Sequence, residues 1–353
     1  MMDRRTESTG PSDSAAYRES MMRRAMANAE TARLRCRPNP WVGAVLVDTD
    51  GAVYDGATHR PGDQHAEREA LSAAGDAARG STVFTTLEPC NHSGRTGSCA
   101  AALIDAEVAR VVIGVTDPDE KVSGDGVARL EASGIEVIHG VLEDEVSEQL
   151  APYLKHRRTG RPYVIVKLAQ TLDGAIAAPD GTSKWITGPE SRRDVHRLRA
   201  ESDAIIVGTG TVEADDPSLT VRDYTPPQTD DEMPRLDPWR IVVGTRAIDL
   251  HEGANTAPFE PWKRPLTDLL DELGAREAVQ VMVEGGATLA GSFHREGLVD
   301  EYWIYIAPAI MGGNNATSTF AGDAAVTMAD VQRGSFVSAT PLGDDLRIIY
   351  RPN

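Results

Sequence analysis

The sequence predicts an α/β protein of two domains, and three observations support this prediction. The chain has 353 residues, more than one hydrophobic core usually organises. From Trp41 onward, short apolar and β-branched runs alternate with helical stretches, which is typical of layered α/β domains. The alternation is interrupted by the polar stretch "KHRRTGRP" at residues 155–162 and then begins again with different content. We therefore expect a flexible tail over residues 1–15, a first domain over 16–157 and a second over 161–353.

Composition and charge narrow the function classes. The formal net charge is -18, and binding to nucleic acid relies on Lys and Arg that neutralise phosphates, so nucleic acid is not expected as a partner. No apolar run approaches the roughly 18 to 20 residues that cross a bilayer, and the polar N-terminus lacks the apolar core of a secretory signal. We expect a cytoplasmic protein without a membrane partner. Its three cysteines cannot form a disulfide framework.

In the first domain the apolar pattern predicts an alternating series of strands and helices. The expected strands cover residues 41–48, 81–88, 110–118 and 135–141. The expected helices cover 66–74, 99–106 and 126–133, and the acidic stretch 142–150 also favours a helix.

In the second domain the alternation resumes without an internal repeat. Strands are expected over 163–171, 203–212, 240–244, 279–286 and 301–308, and helices over 190–201, 266–273 and 287–296. The Pro- and Asp-rich residues 223–239 predict an exposed loop.

A metal site is predicted by three residues of the first domain. A zinc ion that activates water needs three protein ligands and an open position, and the imidazole of His65 with the thiolates of Cys90 and Cys99 is a suitable set. Each ligand is expected at or just before a helix, where the helix dipole favours a thiolate. Glu67 lies two residues after His65, close enough to move protons to and from a zinc-bound water without being a ligand.

The same residue types also occur in structural zinc sites and in ordinary packing. A purely structural zinc site would need a fourth protein ligand, and it would give Glu67 no chemical role. Cys36 lies outside the motif and is expected to be a small buried residue. His59 and His139 are expected to be surface or packing residues, although His59 borders the motif.

The metal motif supports a family resemblance. Zinc deaminases of nucleobases share His-x-Glu followed by Pro-Cys-x-x-Cys, and this chain has His65-Ala66-Glu67 and Pro89-Cys90. Eight residues separate Cys90 from Cys99, and "TLEPCNHSGRTGSC", with "RPNPWVGAVLV" and "THRPGDQHAE" upstream, resembles the deaminase half of the bifunctional riboflavin-biosynthesis deaminase/reductase family. The resemblance implies a cytidine-deaminase-like α/β/α layered domain. It also implies a pyrimidine pocket formed by Asn39, Asn91, His92 and Arg95.

The second domain lacks the usual dinucleotide fingerprint G-x-G-x-x-G after its first strand. In "VEGGATLAGSF" a strand ends at Glu284-Gly285-Gly286 and a helix begins at Ala287, so free amide groups there could hold a phosphate. A glycine turn chosen for its backbone geometry alone is the alternative.

The segments "PYVIVKLAQTLDGAIA", "SKWITG", "RLRAESDAIIVGTGTVEADDPSLTVR" and "VEGGATLAGSF" followed by "VDEYWIYIAP" resemble the reductase half of the same family, whose fold is similar to dihydrofolate reductase. Residues 223–263 carry little of this resemblance. It implies NADPH as cofactor, with nucleotide contacts from Ala169, Trp185, Thr211, Asp215, Thr245, Gly286, Ala287, Thr288, Leu289, Ala290, Gly291 and Ser292. Trp185 could instead belong to the core. The implied substrate contacts are Ser183, Arg199, Leu219, Arg222 and Glu284, with Lys167 and Asp173 as candidates for proton handling.

The resulting expectation is a bifunctional enzyme with one Zn²⁺ and NADPH. It would deaminate 2,5-diamino-6-(5-phosphoribosylamino)pyrimidin-4-one and then reduce the ribosyl group of 5-amino-6-(5-phosphoribosylamino)uracil to ribityl. The alternatives are a deaminase of another base or nucleoside with a non-catalytic second domain, and a nucleotide-binding regulator built on decayed enzyme domains. The resemblance also implies a homo-oligomer, whereas transfer of the intermediate between the sites stays open.

Overall fold

The structure is a computed structural model that describes residues 14–91, 97–119, 124–226, 237–246 and 254–353. The described residues form two compact units, and the chain passes from the first to the second between Arg158 and Thr159. Most of the predicted tail lies outside the described residues. Ser14 and Ala15 are the exception, because Ser14 caps a helix that begins at Ala15.

The first unit is a five-stranded sheet with helices packed against it. The strand order is β2-β1-β3-β4-β5, with β1 antiparallel to β2 and β3, and with β3, β4 and β5 parallel. Its helices are α1 (Ala15–Ala32), α2 (Ala66–Ala74), α3 (Cys99–Asp105), α4 (Asp125–Ala132), α5 (Glu143–Gln149) and α6 (Ala151–Thr159). Its strands are β1 (Gly43–Val47), β2 (Val53–Ala57), β3 (Thr82–Leu87), β4 (Arg110–Val115) and β5 (Glu136–Ile138).

Two glycines allow helices to lie directly on this sheet. A Cβ atom on Gly43 would stand 1.9 Å from the carbonyl oxygen of Ala25 in α1. A Cβ atom on Gly56 would stand 2.1 Å from the carbonyl oxygen of Ala66, the first residue of α2. Any larger residue at Gly56 would therefore move the start of α2, where His65 and Glu67 lie.

The second unit is built around an eight-stranded sheet of order β10-β9-β8-β11-β6-β12-β15-β14. Neighbours from β10 to β12 are parallel, whereas β12, β15 and β14 are antiparallel. The strands are β6 (Tyr163–Thr171), β7 (Ala175–Ala177), β8 (Ala204–Gly208), β9 (Trp239–Val243), β10 (Glu260–Trp262), β11 (Gln280–Val283), β12 (Glu301–Ala307), β13 (Thr317–Ser318), β14 (Gly334–Leu342) and β15 (Asp345–Pro352). The helices are α7 (Pro189–Glu201), α8 (Thr209–Asp215), α9 (Leu266–Ala275) and α10 (Ala287–Arg295). Strands β7 and β13 form a separate antiparallel pair.

The structure differs from the sequence-based expectations at several elements. The polar stretch 155–162, expected as the domain boundary, is partly helical, because residues 155–159 continue α6. The strand predicted over 203–212 ends at Gly208, and the residues that follow form α8. The C-terminal hairpin of β14 and β15 was not predicted.

The structure also bears on the membrane question. Among the described residues, no helix has the length and apolar character that spanning a bilayer would require.

Candidate deaminase and reductase sites

The predicted metal ligands converge in the first unit. His65 is the N-cap residue of α2, and Cys99 is the first residue of α3. The Nδ1 atom of His65 lies 3.6 Å from the Sγ of Cys90 and 3.4 Å from the Sγ of Cys99. The three ligand atoms all lie within 4.8 Å of one another. Zinc bonds of about 2.3 Å to sulfur and about 2.0 Å to nitrogen at a tetrahedral angle separate such atoms by about 3.6 Å, so this set fits zinc.

Cys90 differs from the expectation, because it does not begin a helix. It lies in the segment between β3 and α3, and its Sγ accepts the backbone N–H of Cys99 at 3.5 Å. The pKa of Cys90 is lowered to about 4, mainly by the hydrogen bond from the Cys99 thiol. Burial opposes this shift, and the hydrogen bond to His65 adds to it. The pKa of Cys99 is raised well above its usual value by that same hydrogen bond and by burial. One thiol of the pair is therefore readily ionised, and a bound cation would favour ionisation of the other.

Glu67 occupies the first turn of α2 and is only 3 % exposed. Burial raises the pKa of its carboxyl group, with a further rise from the nearby Cys90 thiolate. A carboxyl group whose pKa is shifted towards neutrality is suited to accept and return a proton. Glu67 lies beside the ligands without being one of them, and its role in proton transfer stays a prediction.

The residues expected to form the pyrimidine pocket have different surroundings. Asn39 is half-buried, and its backbone N–H donates to the carbonyl of Cys36 at 2.9 Å. Asn91 is half-buried, and its Oδ1 accepts a hydrogen bond from Arg129 of α4 at 2.9 Å. His92 and Arg95 lie outside the described residues.

Cys36, His59 and His139, which the sequence analysis did not assign to a site, have contacts typical of packing or surface residues. Cys36 is fully buried, and burial raises the pKa of its thiol to about 12. His59 is half-buried, and its Nε2 lies 2.9 Å from the carboxylate of Glu69. His139 is exposed.

A buried ion cluster marks the second unit. Glu284 directly follows β11, and its carboxylate receives two hydrogen bonds from Arg199 of α7, at 2.9 Å and 2.8 Å. The Nζ atom of Lys167 on β6 lies 3.5 Å from the same carboxylate. Burial opposes ionisation of Glu284, but the positive charges of Arg199 and Lys167 lower its pKa to about 2. Three predicted substrate residues are thus brought together.

Asp173, the other candidate for proton handling, is exposed, and its carboxylate joins the turn after β6 to the segment that follows β12. Its carboxylate accepts hydrogen bonds from the Thr171 hydroxyl at 2.5 Å and from the backbone N–H groups of Gly312 and Met311 at 2.8 Å and 3.1 Å. These bonds lower its pKa to about 2. The contacts favour a role in fixing the turn after β6 over a role in proton transfer.

The remaining predicted substrate residues lie on the segments around α7 and α8. Ser183 is half-buried, and Leu219 is only 1 % exposed with a left-handed φ of 53°. Arg222 is exposed, and its guanidinium donates to the hydroxyl of Ser218 at 2.9 Å.

The N-terminus of α10 is held against α8. The backbone N–H of Gly286 donates to the hydroxyl of Thr211 at 3.1 Å. Among the predicted nucleotide contacts from Gly286 to Ser292, the side chains of Leu289 and Ala290 belong to the hydrophobic core. A Cβ atom on Gly291 would stand 2.2 Å from the carbonyl oxygen of Ala321, so this residue faces another part of the chain.

The other predicted nucleotide residues are at least partly accessible. Ala169 on β6 is half-buried, and Thr245 after β9 is exposed. Asp215 ends α8, and its carboxylate lies 3.7 Å from the Nζ of Lys184. Trp185 is 73 % exposed, so the alternative that it belongs to the core is wrong. The guanidinium of Arg192 lies 4.7 Å from the centre of its ring.

One cavity, of about 380 Å³, holds none of the predicted residues. It lies between α9 and strands β9 and β10, with Trp262 and Arg276 in its lining.

Arg246 is a charged residue beside the predicted nucleotide contacts, and the sequence-based prediction did not include it. It follows Thr245, its side chain is 63 % exposed, and its guanidinium lies 3.1 Å from the carboxylate of Glu213. The signal for it was its place directly after a predicted nucleotide residue.

Comparisons with known proteins identify the family. The RibD C-terminal domain matches residues 162–346, more than half of the 353 residues. The chain belongs to the RibD family. The cytidine and deoxycytidylate deaminase zinc-binding region matches residues 16–115, which contain His65, Cys90 and Cys99.

Curated RibD proteins match most of the chain. The riboflavin biosynthesis protein RibD of Escherichia coli is 40% identical over 327 residues, which are 84% of this chain and 89% of that protein. The RibD protein of Mycobacterium tuberculosis is 42% identical over 321 residues, which are 88% of this chain and 90% of that protein.

Solved RibD structures share the fold. A structure of Acinetobacter baumannii RibD has a TM-score of 0.88 and 36% identity, and covers 96% of this chain and 100% of its own. A deaminase/reductase structure from Thermotoga maritima has a TM-score of 0.82 and 31% identity, and covers 96% of this chain and 99% of its own. The predicted fold class is confirmed. As a RibD family member, the chain is a bifunctional enzyme of riboflavin biosynthesis, with a zinc-dependent deaminase domain and an NADPH-dependent reductase domain.

Proposed function

We propose that the first unit deaminates 2,5-diamino-6-(5-phosphoribosylamino)pyrimidin-4-one and that the second reduces the ribosyl group of 5-amino-6-(5-phosphoribosylamino)uracil to ribityl. The Thermotoga maritima relative is named as a diaminohydroxyphosphoribosylaminopyrimidine deaminase/5-amino-6-(5-phosphoribosylamino)uracil reductase. The observation that carries the proposal is the convergence of His65, Cys90 and Cys99 beside the buried carboxyl group of Glu67.

In the deaminase, His65, Cys90 and Cys99 hold zinc through Nδ1 and two sulfurs. Bound there, zinc supplies Lewis-acid chemistry that makes a water molecule acidic at neutral pH. Glu67 takes a proton from the attacking water, and it then delivers protons to the ring nitrogen and to the departing amine, which leaves as ammonia. The net change replaces the exocyclic amino group by an oxygen. Asn39 and Asn91 hold the pyrimidine, together with His92 and Arg95.

In the reductase, the residues proposed for the nucleotide site would hold NADPH, which would supply the hydride for a new C–H bond on the sugar carbon. The sugar ring opens as its oxygen takes up a proton. Lys167 is the proposed source of that proton, because its Nζ atom lies 3.5 Å from the Glu284 carboxylate in the cluster of predicted substrate residues. Asp173 was the other candidate, but its carboxylate is bound to backbone N–H groups.

The reductase substrate carries a 5'-phosphate, which guanidinium groups bind well. Arg199 is already bound to Glu284 through two hydrogen bonds, so Arg222 with its exposed guanidinium is the better placed phosphate ligand. Ser183 and Leu219 complete the proposed pocket.

The proposed NADPH site uses the amide end of α10 and the residues around it. Gly286, Ala287 and Thr288 offer the backbone of the first turn, where a phosphate is favoured. The other proposed contacts are Ala169, Trp185, Thr211, Asp215 and Thr245, with Ser292 further along α10.

A homo-oligomer is the proposed state in solution. Apolar side chains are concentrated in residues 326–337 of the second unit, where Val326, Met328 and Phe336 are 92 %, 74 % and 76 % exposed. Such exposed apolar surface is typical of a protein interface. Strand β14 is also an edge strand, whose free backbone groups can pair with another chain. A cytoplasmic location, which keeps thiol ligands reduced, remains part of the proposal.

The proposed division of labour is tested by Glu67→Ala. Ammonia release and NADPH oxidation are followed separately, with the diaminopyrimidine and with the already deaminated uracil as substrates. The variant is expected to keep one zinc per chain and to lose ammonia release by at least about 100-fold, the lower range for a general acid–base group. It is expected to reduce the deaminated uracil at the wild-type rate.

The exposed Glu131→Gln serves as the matched control and should leave both activities unchanged. Loss of both activities from folded Glu67→Ala protein would contradict the independence of the two sites. Wild-type protein that releases no ammonia would contradict the proposed substrate.

A further inference from the structure

A second buried carboxyl group lies next to the metal site and has no role in the steps above. Glu88 follows β3, two residues before Cys90, and is 3 % exposed. One carboxylate oxygen accepts the backbone N–H groups of Asp117 and Gly124 at 3.4 Å and 3.2 Å, and the other accepts that of Val127 at 3.4 Å. Glu88 therefore caps α4 from another part of the chain, and its negative charge complements the helix dipole.

The first turn of α4 also touches the segment that carries Cys90. A Cβ atom on Gly126 would stand 2.1 Å from the carbonyl oxygen of Pro89, the residue before Cys90. Only glycine allows this approach without a shift of one of the two backbones. The position of α4 is thus coupled to that of the Cys90 segment.

A third contact lies one turn further along α4. Arg129 donates from Nη1 to the Oδ1 of Asn91 at 2.9 Å. Because the guanidinium can only donate, it fixes which end of the Asn91 amide is the oxygen. The Nδ2 group is left to donate, and within the described part of the chain no residue is recorded as accepting from it.

We propose that Glu88 and Arg129 are positioning residues of the deaminase, which hold α4 against residues 89–91 and orient the Asn91 amide so that its NH₂ group donates to an acceptor of the pyrimidine. The acceptor is a carbonyl oxygen or an unprotonated ring nitrogen, both of which the proposed substrate carries. This inference rests on the proposed deaminase function and deepens it. Neither residue touches the reacting atoms, since Glu88 acts through α4 and Arg129 acts through Asn91.

The exposed Arg129 gives the cleaner test, because its removal leaves the core of the domain intact. Arg129→Ala is expected to raise the KM of the deaminase ~10-fold, about the value of one charge-assisted hydrogen bond, with kcat within twofold of wild type. Arg129→Lys should recover part of the loss, because an ammonium can also donate. Arg79→Ala, an exposed arginine on the same unit, is the matched control.

A double-mutant cycle separates positioning from general stabilisation. If Arg129 acts through Asn91, Arg129→Ala should have little further effect on the deaminase KM in an Asn91→Ala background. Asn91→Asp keeps an oxygen for Arg129 but removes the donor, so it should raise KM at least as much as Arg129→Ala. Effects that multiply in the double variant would overturn the proposal.

Glu88→Gln tests the buried end of the arrangement. An amide must point its own NH₂ group at one of the backbone N–H donors, whichever way it is turned, so α4 should lose part of its anchor. We expect a raised deaminase KM, one zinc per chain and an unchanged reductase kcat/KM on the same polypeptide. Glu131→Gln, on the exposed face of α4, is the matched control.

The outcomes distinguish this inference from the proposed function. Absence of deaminase activity in the wild-type protein would contradict the proposed function itself. An active wild type with an unchanged KM in both Arg129→Ala and Glu88→Gln would overturn only the positioning roles. Loss of zinc from folded Glu88→Gln protein would also overturn them, because Glu88 would then act on the ligands and not on α4.

Discussion

Glu67 and Glu284 show how the burial and the neighbouring charges of a carboxyl group determine its protonation. Burial raises the pKa of Glu67, with a further rise from the nearby Cys90 thiolate, so this carboxyl group holds a proton more readily than an exposed one. The side chain of Glu284 is 15 % exposed, and the positive charges of Arg199 and Lys167 outweigh the effect of its partial burial and lower its pKa to about 2. Glu67 is therefore suited to transfer protons, whereas Glu284 stays ionised and anchors two cations.

Arg246 provides a prediction on cofactor choice. It lies beside Thr245 with an exposed guanidinium, and this group can pair with the 2'-phosphate that distinguishes NADPH from NADH. Arg246→Ala is expected to raise the KM for NADPH ~10-fold and to change that for NADH less than twofold, measured by cofactor oxidation. Arg193→Ala, an exposed arginine on α7, is the control. An equal change with both cofactors would show that Arg246 does not contact the phosphate.

The side chains that do chemistry were easier to predict than those that support them. His65, Cys90 and Cys99 are rare residue types in a recognisable spacing, and they converge as expected. The bond between Arg129 and Asn91 joins positions 38 residues apart, and an arginine on an exposed helix face gives no sign of its partner. The role of Glu88 could not be predicted from the sequence either, because its three backbone donors come close to it only in the tertiary structure.

At the level of elements, one carboxylate links the C-terminal hairpin to α7. Asp345, the first residue of β15, is 5 % exposed and accepts the backbone N–H of Gly188 at 2.7 Å and the hydroxyl of Ser191 at 2.6 Å. Gly188 is the N-cap residue of α7, and glycine has no side chain to satisfy the first N–H groups of the helix. Asp345 accepts from the N–H of Gly188 itself and from the Ser191 hydroxyl, so the hairpin places a carboxylate at the N-terminus of α7, where the helix dipole favours negative charge.

This contact predicts a loss of stability when it is removed. Asp345→Ala leaves the donors of Gly188 and Ser191 without a partner, at a cost of about 1–3 kcal/mol for a buried group. The temperature at which reductase activity is lost irreversibly should fall by several degrees, while the neighbouring and exposed Asp344→Ala should leave it in place. Equal inactivation temperatures for the two variants would show that the cap contributes nothing.

The pattern of apolar residues predicted some elements well and others poorly. Strand β6 and helix α2 have the predicted bounds, because each has a long, unambiguous pattern. Strand β2 contains Asp55 and Gly56 and has only two buried residues, so its five residues give little apolar signal. The error at α8 has a similar cause, since Thr209 to Val212 continue a β-branched run although the helix has already begun. Hairpin β14–β15 is largely exposed on β14, which removes the expected alternation.

At the scale of the whole molecule, each unit has its own sheet and its own site. The metal cluster belongs entirely to the first unit, and the Lys167, Arg199 and Glu284 cluster belongs entirely to the second. Every ligand and proton-handling group proposed for one activity is therefore supplied by one unit. This separation is the basis for expecting independent responses to substitutions such as Glu67→Ala.

The exposed apolar residues of the second unit predict self-association. Replacing Phe336 and Met328 by serine together should lower the mass measured by light scattering towards that of one 37.9 kDa chain. Zinc content should not change, because these residues lie outside the first unit. The exposed pair Thr327→Ser and Asp330→Asn is the control on the same segment. An unchanged mass for the Phe336 and Met328 variant would place any interface elsewhere.

Gly56 gives the metal centre a dependence that its ligand set does not reveal. The missing side chain of this residue lets the carbonyl of Ala66 rest on β2, and that contact sets how deeply the neighbouring imidazole enters the unit. A single methyl group added there would push the imidazole out of register with both sulfurs, although every coordinating atom would still be encoded. Affinity for the ion thus depends partly on a residue that does not coordinate it. A comparison of the coordinating residues alone would not detect the defect in such a variant.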